Sequence, residues 1–115
     1  EDTGEFVAPG GESVRHVEQR MWEAARAIAR ANAGRTVCAV SHGCAIRSLL
    51  CRALGLPLSR MDEIPWCDNT GISVLEFGED GKVAVPVLND ASHIPPELSV
   101  YRSRTGGDSI MDVAP

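Results

Sequence analysis

The chain has 115 residues, 43% of them hydrophobic, with a formal net charge of −5 and a sequence pI near 5.1. That length bounds it to one globular domain with a modest core, and the acidic balance removes the electrostatic footprint of nucleic-acid or anionic-membrane binding. Its apolar stretches fall short of the ~20 residues that cross a bilayer and no charged-then-apolar leader opens it, so the expectation is a cytoplasmic protein whose partners are small soluble molecules, with no nucleic acid and no membrane.

After a polar start, the run Ala8-Pro9-Gly10-Gly11-Glu12-Ser13 joins a Pro-Gly-Gly turn signal to a helix cap at Ser13. Val14, Val17, Met21, Ala24, Ala25 and Ile28 then recur at three- and four-residue steps, with Arg15, Glu18, Arg26 and Arg30 on the other face. This predicts a helix that closes at Asn32-Ala33-Gly34. Thr36-Val37-Cys38-Ala39-Val40 is apolar, β-favouring and without alternation, the pattern of a central parallel strand covered on both faces. Ser41-His42-Gly43 passes directly into a second apolar stripe, Ala45, Ile46, Leu49, Leu50, Ala53 and Leu54, which Gly55 and Pro57 end. A loop of turn formers from Pro57 to Asn69 leads to two β-like runs joined by Gly78-Glu79-Asp80-Gly81, a hairpin over Thr70 to Leu88 whose second strand Pro86 confines to a sheet edge. From Pro95 onward no periodicity remains, and an irregular tail is expected over 95–115.

Cysteines at 38, 44, 51 and 67 form no CxxC pair, which excludes a zinc knuckle or a thioredoxin-like motif. None has an arginine six residues on, so the loop of a thiol phosphatase is excluded as well. Cys38 in the strand and Cys51 in the helix read as small core residues of a reducing compartment.

The junction Thr36 to Gly55 carries the chemistry. In an α/β layer a strand-to-helix turn lies at the carboxyl edge of the sheet, where ligands bind, and the helix starting at Gly43 or Cys44 presents free N–H groups and the positive end of its dipole there. An anion fits. Gly43 admits a close approach to the main chain, and His42 supplies a hydrogen bond and, when protonated, a charge. Taken alone, the same histidine also suits a structural role, capping the helix or satisfying a neighbouring carbonyl.

The whole order, PGGES, helix, an apolar strand ending VSHG, a helix with IRSLL, LGLPL, then a strand pair ending LNDASH, resembles the later part of the histidine phosphatase superfamily, the phosphoglycerate mutase-like branch, over roughly Ala8 to Ile94. The resemblance implies an α/β fold: residues 1–94 as the C-terminal part of a three-layer α/β/α domain, with a mainly parallel sheet and a hairpin at one edge. It implies phosphoryl transfer from a small phosphorylated metabolite through a phosphohistidine, by a phosphomonoester phosphatase or a mutase, without metal or other cofactor. His42 matches the second active-site histidine of that family, an electrostatic stabiliser, and Gly43 and Cys44 match the turn whose backbone faces the phosphate.

The family's nucleophile motif, Arg-His-Gly, does not occur: His42 and His93 follow serines, and Arg15-His16 runs into Val17 inside a helix. In the family that motif, a second arginine and the acid precede PGGES. The chain is therefore expected to be a C-terminal portion, inactive alone, that partners either the missing N-terminal half or a second copy of itself. The nucleophile strand of the family would lie between Thr36–Val40 and the hairpin. The alternative is a non-catalytic anion-binding or interaction module with the same core; a nucleophile-elbow hydrolase is disfavoured, because the turn reads Ser-His-Gly. Among the remaining polar residues, Glu12 orients the helix entry, Arg20 pairs with a nearby carboxylate, Arg47 faces solvent and His93 is packed or stabilises a turn, while Trp66 and Asn69 are candidates for the pocket rim.

Overall fold

The computed structural model describes residues 3–100. Two helices, α1 (Val14–Ala31) and α2 (Gly43–Ala53), pack on each other and are followed by an antiparallel hairpin of β1 (Ile72–Phe77) and β2 (Val83–Asp90). Short 3-10 turns occupy Thr3–Glu5, Leu58–Glu63 and Pro96–Leu98.

The entry to α1 forms as its residues predict. Gly10, with φ +74°, follows Pro9 in a turn closed by the Gly11 N–H on the Ala8 carbonyl at 2.8 Å, and Val7 bridges Ser13 across it. The Ser13 hydroxyl accepts the His16 N–H at 3.1 Å, an N-cap, and Gly34 takes up φ +74° just past the helix end. One residue of the expected polar face behaves otherwise. Glu18 is buried against α2, where Arg52 reaches it at 3.6 Å.

The core is made by Val14, Leu50, Cys51, Leu58, Met61 and Ile64, with Ile46, Leu56, Leu75 and Val85 packed on its margin. Three of these lie in the segment expected to be a plain loop. Leu58, Met61 and Ile64 recur every third residue, the period at which a 3-10 turn stacks side chains on one face, and that turn lays them under α2. In the hairpin Ser73, Leu75 and Phe77 face inward, Phe77 meeting Trp22 of α1 at 6.0 Å between ring centroids, while Ile72, Val74 and Leu88 stand exposed. Gly71, at the entry to β1, admits no side chain: a Cβ there would collide with the Cys67 side chain and lie 2.9 Å from the Asp68 carbonyl oxygen.

The expected parallel sheet is not present among the described residues. Thr36–Val40 belongs to no ladder and all five residues are exposed, Val40 at 93%. Cys38, expected in the core, is exposed with them. The physical reason is that no strand among the described residues lies beside the segment to take its hydrogen bonds; an apolar β-favouring run forms a strand only where a second one is available. The tail expected from Pro95 begins with an ordered turn and is tied down at Asp68, whose carboxylate accepts the Ser99 hydroxyl and the Val100 N–H. Residues 101–115 of that tail lie outside the described residues.

Candidate functional site

His42 is the N-cap residue of α2, in extended conformation, and its carbonyl accepts the first helical bond, from Ile46 N–H at 2.9 Å. The amides of Gly43, Cys44 and Ala45 precede that bond and so carry the helix's N-terminal donors. The imidazole makes no capping hydrogen bond and is exposed, as are Gly43 and Cys44. Ring, amides and helix dipole therefore share one solvent-facing turn, and the ring does not cap the helix.

What lies against this turn was not foreseen in full. A Cβ on Gly43 would sit 2.9 Å from Trp66 Cζ3 and 3.3 Å from Cε3, so glycine is required here by the indole packed on it. Arg47, one turn further along α2, places its guanidinium 4.1 Å from the centroid of the Trp66 ring. It also donates from Nε to the Ile64 carbonyl at 2.9 Å and from Nη2 to the Met61 carbonyl at 3.0 Å. The expectation of a solvent-facing Arg47 is corrected: two peptide carbonyls and an aromatic face compensate its charge in a half-buried position. The same segment is held from the hairpin by Asn89, whose side-chain amide donates to the Pro65 carbonyl at 2.8 Å. Asn89 has φ +52°, and the sequence signal for it was only an asparagine inside a strand pattern.

The other polar candidates stand apart from His42 chemistry. Glu12 binds Arg20 at 2.6 Å and His16 Nδ1 at 3.2 Å. The Arg20 hydrogen bond holds the Glu12 carboxyl below the ordinary range and raises Arg20 in return, the ion pair expected for it. His16 is thereby placed on the α1 surface. His93 Nε2 lies 2.9 Å from the Thr70 carbonyl oxygen and 3.4 Å from its hydroxyl, bracing Thr70 at φ +73°, the turn role expected of it. Asn69 is exposed. A cleft of about 480 Å³ between Arg15, Glu18, Arg52 and Leu58 lies away from the His42 turn. Among the described residues no group of three or more His, Cys, Asp and Glu side chains could hold a metal ion, and no helix is long and apolar enough to cross a membrane.

Comparison with known proteins places these observations. Residues 1–90 match the model of the histidine phosphatase superfamily, branch 1. No curated protein matches significantly. Three solved chains do, among them Bacillus stearothermophilus YhfR, with 32% sequence identity and a TM-score of 0.70 over 74% of this chain and 42% of that one. This chain thus spans less than half the length of YhfR. The family model runs through both helices, the His42 turn and the hairpin, and with it the chain belongs to the histidine phosphatase superfamily, branch 1.

Proposed function

We propose that this chain contributes the second active-site histidine, His42, to a phosphoryl-transfer enzyme acting on a small phosphorylated metabolite, as a phosphomonoester phosphatase or a phosphoglycerate mutase-like enzyme. The observation that carries the reading is the position of His42 in a chain of this family: its imidazole is exposed and unused by the helix cap, at the turn where α2 directs its first amides outward. There a phosphoryl group would meet Gly43 and Cys44 N–H donors, the helix dipole and a histidine whose protonated form adds positive charge. Each strengthens as negative charge spreads over the phosphoryl oxygens in flight. His42 acts in this scheme as an electrostatic stabiliser, and the attacking histidine belongs to an Arg-His-Gly motif outside these 115 residues, supplied by an N-terminal half or by another chain.

A non-catalytic anion-binding module is the second reading, favoured by one observation: His16, the only histidine that follows an arginine, lies within α1 against Glu12. Phosphate titration followed by NMR tests what both share. The Gly43 and Cys44 amide signals should move in the wild type, with affinity lost in His42→Ala; signals that move elsewhere and spare this turn would refute the site. Enzyme and module separate on the gene upstream of residue 1, where an Arg-His-Gly supports the enzyme. The purified chain should hydrolyse p-nitrophenyl phosphate only at background, and robust turnover abolished by His42→Ala would overturn the placement of the nucleophile elsewhere.

A further inference from the structure

The geometry points to Arg47 as a positioning residue for the phosphate-binding turn, acting through Trp66. This rests on the reading of the His42 turn above. Three attachments converge on the segment Met61–Trp66: the Arg47 guanidinium holds the Met61 and Ile64 carbonyls at 3.0 and 2.9 Å, its face stacks 4.1 Å from the Trp66 ring centroid, and Asn89 holds the Pro65 carbonyl at 2.8 Å. The product of these attachments is the placement of one ring. Trp66 lies so close to Gly43 that no side chain fits between them, which makes the indole a wall beside the first amide of α2. Gly43 and Arg47 are four residues apart on one face of α2, so the helix clamps the ring at its N-terminal turn and at the turn behind it.

A wall fixed in this way has two consequences for an anion at Gly43 and Cys44. It limits the directions from which the anion approaches, and it screens one side of the turn from water, where a charge-assisted hydrogen bond gains strength. Arg47 itself is engaged by peptide carbonyls and by the ring, and its effect on the anion passes through that placement.

The test uses the whole chain, inorganic phosphate as probe, and NMR. In the wild type the Gly43 Hα signals should carry a ring-current shift from Trp66, with Trp66→Leu giving the value without the ring. In Arg47→Met that shift should collapse toward the Trp66→Leu value while the α1 and hairpin signals hold. Phosphate affinity should fall about tenfold in both variants, since each removes the fixed ring beside Gly43, one by deleting it and the other by releasing it. Arg47→Lys, which keeps the charge but not the fork, should recover only part of the affinity. A purely coulombic role for Arg47 predicts undiminished affinity in Trp66→Leu and full recovery in Arg47→Lys, and either result overturns the inference. So does an unaltered Gly43 shift in Arg47→Met. Should Arg47→Met fail to fold, Trp66→Leu decides, since it leaves both carbonyl bonds of Arg47 in place. A wild type that binds no phosphate at this turn refutes the site, while the Gly43 shift still judges the clamp.

Discussion

The four cysteines show how one residue type reports three environments. Cys38 and Cys44 are exposed, Cys67 is half-buried and Cys51 is fully buried in the contact between the helices. Burial pushes the Cys51 thiol up, with Glu18 adding to the effect, and burial followed by the neighbouring Asp68 does the same at Cys67. Thiolate is the reactive form, so alkylation of the native chain should modify Cys38 and Cys44 first, Cys67 slowly, and Cys51 only on unfolding. Mass spectrometry of timed samples checks the order. The sign of the pH effect follows from the same burial. With the Cys51 and Cys67 thiols titrating higher in the folded chain than in the unfolded one, the unfolded chain releases their protons first on the alkaline side, and stability should decline as pH rises from the ordinary thiol range through the raised one. Urea midpoints on both sides of that range would show it.

At the level of elements, legibility tracked how local the cause was. The cap at Ser13, the stop at Gly34, the second helix with its end at Gly55 and the hairpin all depend on residues within a few positions of each other, and all appear where the sequence puts them. Ser13→Ala removes the hydroxyl that accepts the His16 N–H and should cost about 1 kcal/mol of stability, seen as a lowered denaturation midpoint with unchanged slope. The 3-10 turn at Leu58–Glu63 was missed because a three-residue spacing of Leu, Met and Ile is too short to separate from chance in a loop rich in turn formers. Arg47 was misread for a different reason. Its partners are main-chain carbonyls 14 and 17 residues away, and carbonyls leave no mark in a sequence. Of the candidate site, His42 and its turn were legible from the strand-to-helix pattern. The sequence makes Trp66 a rim candidate but does not show the cause of its position, which is the pair Gly43 and Arg47.

For the molecule as a whole, the instructive element is the one that did not form. The run from Thr36 to Val40 has the pattern of a strand covered on both faces, yet the described residues offer it neither a ladder nor a cover. Hydrophobic patterning records the neighbours a segment evolved among, and in a sheet those neighbours are distant in sequence. Ile72, Val74 and Leu88 on the outer face of the hairpin are likewise exposed. Unpaired and uncharged, with Val40 bare and Arg35 the nearest charge in sequence, Thr36–Val40 is also a template on which one chain can recruit another into cross-β growth. Val37→Lys with Val40→Lys should therefore raise the concentration at which the chain stays clear, as light scattering would register, with the helical signal unchanged. The same two lysines would bar this segment from a sheet interior. A solubility gain accompanied by loss of binding to an N-terminal half would mean that the hazard and the assembly surface are one strip of backbone, kept adhesive because its proper use is to be paired.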